Sequence, residues 1–383
     1  MLCSVNVNDA KTDLFVNDAQ ISILIRYEAS NLYDFYGDAI KEVYNGKQKI
    51  ILDFSSEAFA FSVSNPVDNS DFYFFQIHNL IDRLKIPYSS VEFYNGNILN
   101  AEMYKQWKST FNITNSIAKA GFRLAWASTV LSAHKPLLTP YTVLRPYYFT
   151  CLNGAPRRHR MHIIKLLWDG NLFEKGIITF VADDDQTKKS FTNEGYNKLA
   201  ELLPLTVDEY TNFTDIRSHR SDLSKSFYDC FNNSYFDIIT ETLYGEGLAR
   251  PCSDKILLNN RWWKEVFFTE KTFRSIYYKR PFMLFSSVNS LEYLKQLGFK
   301  TFDFVFDEGY DQIVNWKKRL NFIVQHTAEI CNKPIQILHR KIASNQMQDV
   351  LEHNYNQFIN IAKNSDFKLL GTDQLVDTIS KSQ

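Results

Sequence analysis

The sequence has little of what marks several classes of protein. Only 13 of its 383 residues are glycine and 10 are proline, while 45% are hydrophobic, so a low-complexity or disordered chain is not expected. It contains no run of about 18 apolar residues, so we expect no membrane span. Its N-terminus lacks a basic stretch followed by an apolar one, so we expect no signal peptide and a cytoplasmic location.

Neither sign of charge dominates, because 43 Lys and Arg residues balance 43 Asp and Glu residues. Proteins that bind bare nucleic acid are usually basic, since their affinity comes largely from neutralising phosphates. Zero net charge disfavours that class but leaves room for a local basic groove. The 5 cysteines are odd in number and form no CxxC pair, which disfavours a disulfide framework or a zinc site.

Strand and helix patterns alternate along the chain, stop near three prolines, and then begin again. The first series has strand patterns at 20–26, 49–54 and 90–94 and helical spacing at 31–44, 72–84 and 101–111. The second has strand patterns at 147–152, 176–181, 235–240 and 281–285, and helical spacing at 157–170, 193–203, 271–278, 290–297, 311–329 and 347–363. Such alternation is typical of parallel sheets covered by helices.

We therefore predict an α/β protein with two Rossmann-like domains, residues 1–145 and 146–340. Residues 341–383 should form a C-terminal helix that packs back across the domains, and a tail. In such sheets ligands bind at the carboxyl ends of the strands.

A basic helix start follows the strand pattern at 147–152. Asn153 and Gly154 form the turn, Pro156 suits a first helical turn, and Arg157 and Arg160 come next. Arginines at a helix start oppose the helix dipole, so helix stability does not explain them. A diphosphate bound by the helix N–H groups and the guanidinium groups would explain them. The alternative is a solvated basic helix face.

A second motif is Phe268-Thr269-Glu270-Lys271-Thr272, before the strand pattern at 281–285. Thr269 can cap a helix that has Glu270 and Lys271 in its first turn. Taken alone, these residues predict a capped surface helix.

This motif, a helix and then Pro281 with an apolar strand resemble the signature of α-1,3-fucosyltransferase-like glycosyltransferases of the GT-B fold. Residues 294–302 and 307–311 are similar to glycosyltransferase-like proteins of bacteriophages and environmental viruses, which would place the protein in a host cytoplasm. The resemblance covers residues 149–181 and 227–320 and is only topological over the first 145. Lys279 and Arg280 stand where fucosyltransferases usually have a small residue.

The resemblance implies a GT-B enzyme with a cleft between two domains and a nucleotide-sugar donor bound by the second. It assigns the ribose hydroxyls of the donor to Glu270 and its phosphates to Lys271, with Thr272 completing the motif. A carboxylate can accept hydrogen bonds from two vicinal hydroxyls, and an ammonium group suits phosphate. No cofactor and no divalent metal is required, because cations and helix dipoles can stabilise the leaving diphosphate.

Other acidic residues follow strand patterns. Glu241 is a candidate donor contact or, alternatively, a helix cap. Glu57 is the first candidate for the base that deprotonates the acceptor and Asp53 the second, against a turn without a catalytic role. The acidic run 183–185 could hold a metal or be a solvated loop.

Sequence thus predicts a glycosyltransferase whose partners are a nucleotide sugar and a hydroxyl acceptor. The acceptor is a glycan or, as a second option, a hydroxymethylated pyrimidine in phage DNA, which would require base flipping. The alternative is a catalytically silent module that binds a nucleotide or a glycan.

Overall fold

The structure is a computed structural model that describes residues 14–17, 39–55, 73–133, 140–154, 156–180, 184–205, 225–242 and 266–364. The chain divides into two compact units. Unit 1 consists of Met1–Ala125 and Arg250–Phe267, and unit 2 of Trp126–Ala249 and Phe268–Gln383. The chain therefore returns to unit 2 at Phe268, the first residue of the motif described above.

Unit 1 is built on a parallel four-stranded sheet in the order β1-β2-β3-β4. Its strands are β1 (Leu14–Asn17), β2 (Ile50–Phe54), β3 (Val91–Asn95) and β4 (Lys119–Phe122). Its helices are α1 (Ala39–Tyr44), α2 (Tyr73–Leu84) and α3 (Asn100–Thr110).

The core of unit 1 follows from hydrophobic periodicity. Ile50 and Leu52, two residues apart on β2, both point into the core, as the alternation of a strand requires. Helix α2 contributes Phe74, Ile77 and Ile81 from one face, at the spacing of an amphipathic helix. Burial of these apolar faces against one another holds the helices on the sheet.

Unit 2 contains a second parallel sheet, in the order β6-β5-β7-β8. Its strands are β5 (Tyr147–Asn153), β6 (Gly176–Phe180), β7 (Ser234–Thr240) and β8 (Phe282–Phe285). Its helices are α4 (Ala125–Ala133, whose first residue belongs to unit 1), α5 (Arg158–Asp169), α6 (Asp185–Asn193), α7 (Asn197–Glu201), α8 (Lys225–Asn232), α9 (Glu270–Tyr277), α10 (Ser290–Gln296), α11 (Trp316–Cys331), α12 (Ile335–Ile342) and α13 (Asn345–Asn364).

Two parallel α/β sheets confirm the predicted fold class in its coarse form, and both are consistent with Rossmann-like domains. Most of the predicted strands and helices are present within the described residues, while the strand pattern at 20–26 lies outside them. Helix α13 packs on α9 of the same unit, where the rings of Tyr277 and Tyr355 stack with their centroids 5.8 Å apart. Its packing across the domains remains a prediction.

The border between the units lies at Ala125, earlier in the chain than the expected one after residue 145. The proline-containing segment before β5 is held in unit 2 by its side chains. Arg145 donates to the carbonyl oxygens of Phe231 and Ser234 at 2.7 and 2.6 Å, and Tyr141 donates to the carbonyl oxygen of Tyr235.

The helix predicted over 193–203 is wrong in its bounds. Asp184 begins α6 earlier, because its carboxylate accepts from the backbone N–H of Thr187 at 2.8 Å. Gly195 then interrupts the helical run with a φ of +88°, which favours glycine, and α7 begins only at Asn197.

Strand β4 was not expected, because Lys119–Phe122 shows no strand alternation. Gly121 is needed at this position. A Cβ there would lie 2.9 Å from a ring carbon of Tyr94 on the neighbouring strand.

An ion pair between Asp237 and Arg280 is buried in unit 2, where Nε of Arg280 lies 2.8 Å from Oδ1 of Asp237. Thr150 and Ser275 donate to the same carboxylate at 2.6 and 2.7 Å. Arg280 also donates to Ser234 Oγ at 2.8 Å and is only 2% exposed. Because Arg280 precedes β8, this pair lies away from the carboxyl ends of the strands.

We expect Arg280→Met to lower the free energy of unfolding by about 3–5 kcal/mol, because it leaves a buried carboxylate without its counter-ion. Urea unfolding followed by circular dichroism measures the loss. Lys279→Met is the matched control, since its ion pair with Glu352 is partly exposed and such pairs contribute about 0–1 kcal/mol. Equal losses in the two variants would contradict the assigned importance of the buried pair.

Candidate functional site

The order of strands in unit 2 marks one place where a ligand site is expected. The chain runs from β5 to β6 on one side and then crosses to β7 on the other side of β5. Helical connections that leave in opposite directions open a crevice at the carboxyl ends of the two central strands, and this topological switch point is where such sheets bind ligands. Here these ends are Asn153 on β5 and Thr240 on β7.

The two strand ends are joined by a side-chain hydrogen bond. Thr240 Oγ1 donates to Asn153 Oδ1 at 2.6 Å, and both residues are almost fully buried. Asn153 also donates through its backbone N–H to Thr179 Oγ1 on β6 at 3.0 Å. The sequence predicts that Asn153 contacts the nucleotide sugar. In the structure its side chain holds the strand ends in place beneath the surface.

Beyond Asn153 the chain opens toward solvent at the start of α5. A Cβ on Gly154 would meet no described atom within 4 Å. Arg157 occupies the N-cap position and is exposed, and within the described residues its side chain makes no capping hydrogen bond. The first-turn N–H groups of a helix without such a cap are suited to bind an anion.

The structure brings the predicted arginines to this helix start but gives them different environments. Arg160 is 4% exposed and donates through Nη2 to the carbonyl oxygen of Thr240 at 3.3 Å. Burial and the nearby Arg157 lower the pKa of Arg160 to about 10, and Glu241 and Glu270 oppose that shift. Arg157 can therefore touch a ligand directly, whereas Arg160 acts on one chiefly through its charge.

Glu241, directly after β7, is fully buried and organises the start of α9. Its Oε1 accepts from the backbone N–H of Thr269 at 3.0 Å and from Thr272 Oγ1 at 2.7 Å, and its Oε2 accepts from Thr269 Oγ1 at 2.6 Å. This geometry favours the helix-capping alternative for Glu241. Thr272, also 0% exposed, belongs to the same cap and does not reach the surface.

Glu270 and Lys271, in the first turn of α9, remain partly accessible. Their side chains are 12% and 18% exposed, and Lys271 Nζ lies 2.9 Å from Glu270 Oε1. Burial opposes ionisation of Glu270, but Lys271 and Arg274 outweigh it and hold the pKa of Glu270 below its ordinary value. The pair is therefore a carboxylate and an ammonium group side by side.

The sequence does not predict a role for His159, which lies near the charged groups of Arg157, Arg160 and Lys271. Its ring is fully buried and stacks on Phe285 with centroids 5.6 Å apart. Burial, together with Arg160 and Arg157, lowers the pKa of His159 to about 2. The ring is therefore neutral, and it lies beneath the helix start without adding charge.

In unit 1, Asp53 lies at the carboxyl end of β2 but is already engaged. Its Oδ1 accepts from the backbone N–H and Oγ of Ser55 at 2.9 and 2.5 Å, and its Oδ2 pairs with Arg123 at 2.6 Å. Arg123 also lies over the ring of Tyr94, 4.0 Å from its centroid. These contacts favour a structural role for Asp53. Glu57, the first candidate base, lies outside the described residues.

The acidic run 183–185 is described from Asp184 onward. The carboxylate of Asp184 accepts from both the backbone N–H and the Oγ1 of Thr187 and so serves as a helix cap. Across the described ranges, His, Cys, Asp and Glu side chains form no group of three that could hold a metal ion.

Comparisons with family models, curated proteins and solved structures found no match to this chain. Among the helices that the structure describes, none is both long and apolar enough to cross a membrane.

The neutral state of His159 predicts how unit 2 responds to acid. The unfolded chain takes up a proton as the pH falls through about 6.5, whereas folded His159 does not until about pH 2. The stability contributed by the neutral ring is complete above pH 6.5 and is lost as the pH falls. Below pH 6, we expect the free energy of unfolding to fall less steeply with decreasing pH in His159→Phe than in the wild type. The difference in slope should be up to about 1.4 kcal/mol per pH unit.

Urea unfolding between pH 4.5 and 7.5 measures this slope. His353→Phe is the control, since it replaces a partly exposed histidine of unit 2. It should retain the wild-type slope. If His159→Phe also retains it, His159 does not set the acid sensitivity.

Proposed function

We propose that this chain transfers a sugar from a nucleotide-sugar donor to a hydroxyl acceptor. The observation that supports the proposal is the set of charges gathered at the switch point of unit 2. Arg157, Arg160 and Lys271 supply positive charge beside the N-termini of α5 and α9, and Glu270 supplies an accessible carboxylate. A nucleotide sugar has the complementary groups, a doubly charged diphosphate and a ribose with two vicinal hydroxyls.

In this proposal the diphosphate lies against Gly154 and the first turn of α5, with Arg157 and Lys271 as direct ligands. Glu270 accepts from the ribose hydroxyls. When the bond between the sugar and the diphosphate breaks, negative charge develops on the leaving phosphate oxygen. The fixed cations and helix N–H groups stabilise that charge, so the proposal includes no metal.

The acceptor side of the proposal belongs to unit 1, as in the two-domain arrangement of GT-B enzymes. Glu57 would remove the proton of the acceptor hydroxyl, since Asp53 is held by Arg123 and Ser55. The acceptor is a glycan or, as the second option, a hydroxymethylated pyrimidine of DNA. A mobility-shift assay with hydroxymethylated duplex separates them, because an enzyme that modifies glycans would not retard it.

A silent nucleotide-binding module is the second candidate. It is favoured by the ion pair of Asp53, because a carboxylate engaged in this way is poorly placed to remove a proton. Such a module would bind the nucleoside diphosphate and leave the sugar donor intact. Donor hydrolysis followed over hours distinguishes the two.

We expect Lys271→Ala to weaken binding of a nucleotide sugar about 10- to 100-fold, because a charged hydrogen bond contributes about 1.5–3 kcal/mol. Gly154→Ala should weaken it as well, while the melting temperature without ligand stays near that of the wild type, since the added methyl group would meet no described atom within 4 Å. Thermal shifts with UDP-, GDP- and CDP-sugars identify the donor, and calorimetry measures the affinities.

Lys198→Ala, an exposed lysine on α7 of unit 2, is the matched control and should bind like the wild type. Unchanged affinity in both Lys271→Ala and Gly154→Ala would place the ligand elsewhere.

A further inference from the structure

The ammonium group of Lys271 lies among three oxygen atoms of its own motif. Nζ is 2.9 Å from Thr269 Oγ1, 2.9 Å from Glu270 Oε1 and 3.7 Å from Glu241 Oε2. A phosphate that approaches Lys271 therefore meets carboxylates of the same charge, and it binds more closely if one of them moves away. The kind of ligand that the site accepts depends on which carboxylate, Glu241 or Glu270, moves away from Lys271.

Glu241 is poorly suited to move. Both of its oxygens hold the start of α9 through Thr269 and Thr272, and the residue is 0% exposed. To withdraw it would leave a buried carboxylate without its hydrogen bonds and a helix without its cap, and both losses are unfavourable.

Glu270 can move at lower cost. Its side chain is 12% exposed, and among the described residues its carboxylate makes one side-chain hydrogen bond, the one to Lys271. Once displaced from Lys271, however, this carboxylate would face a bound phosphate of the same charge. It needs hydrogen-bond donors to replace the ammonium group.

A nucleoside diphosphate brings those donors, whereas inorganic diphosphate does not. The vicinal ribose hydroxyls can donate hydrogen bonds to Glu270 while the phosphates accept them from Lys271. Each side chain therefore replaces its contact with the other by a contact with the ligand. Inorganic diphosphate offers the phosphates alone, and Glu270 then opposes its binding by charge repulsion.

We propose that Glu270 is a specificity-determining residue that makes the site reject inorganic diphosphate and accept a nucleoside diphosphate. This inference rests on the proposed function, since it places the diphosphate and ribose at the same site. The competing carboxylate keeps free diphosphate from occupying the donor position.

The test compares Glu270→Gln with the wild type, using calorimetry without added metal. The ligands are inorganic pyrophosphate and whichever of the ribonucleotides UDP, GDP and CDP gives the largest thermal shift. Glutamine keeps the size of the side chain and removes its charge. Pyrophosphate should bind Glu270→Gln about three- to tenfold more tightly, since loss of a partly buried counter-ion changes the free energy by about 1 kcal/mol.

The nucleoside diphosphate should change in the opposite direction and bind Glu270→Gln about tenfold more weakly, because the amide is a weaker acceptor for the ribose hydroxyls than a carboxylate. Glu194→Gln is the matched control. It removes the carboxylate 2.7 Å from Lys165, another Glu–Lys pair of unit 2, and should leave both affinities unchanged.

Pyrophosphate binding that is no tighter in Glu270→Gln than in the wild type, including no binding to either, overturns the inference. Glu270→Ala, measured in the same way, serves if the glutamine variant does not fold. The proposed function fails separately if the wild type binds none of the three nucleoside diphosphates, whether or not it binds pyrophosphate.

Discussion

The hydrogen bonds of Glu241 are the interaction on which the candidate site depends. A single buried carboxylate at the end of β7 accepts from Thr269 twice and from Thr272 once, and thereby fixes where α9 begins. The partly exposed Glu270 and Lys271 occupy the first turn of that helix, so their positions follow from the cap. The link joins residues 28 and 31 positions apart and makes the strand end and the helix start one rigid element.

Around this cap, several ionisable side chains of unit 2 have low exposure. Some lie beside an opposite charge, and one stays neutral. Arg160 lies close enough to Glu241 and Glu270 for their charges to support its own. His159, between the same elements, stays uncharged, since burial and then the charges of Arg160 and Arg157 disfavour its protonated form. Away from this cap, Asp237 in the middle of β7 and Arg280 before β8 form a buried ion pair. The site thus keeps its accessible charge on Arg157, Glu270 and Lys271.

The sequence predicted the coarse fold because hydrophobic period and turn residues are local properties. It also indicated the basic helix start at Arg157 and the motif at Glu270. It could not show that Glu241 and Thr272 bind each other, nor that Asp53 pairs with Arg123, because these partners are 31 and 70 positions apart. Strand β4 could not be predicted, because the ring of Tyr94 leaves room for a glycine only. That contact exists only when the two strands are paired.

We propose that a nucleoside diphosphate binds at the carboxyl ends of β5 and β7. Amide hydrogen exchange with saturating UDP, GDP or CDP is the decisive measurement, because exchange reports on each segment of the backbone. We expect one of these ligands to protect the amides of residues 154, 157–161 and 269–273 together, and other segments of unit 2 less. Protection that leaves both segments unchanged would contradict it.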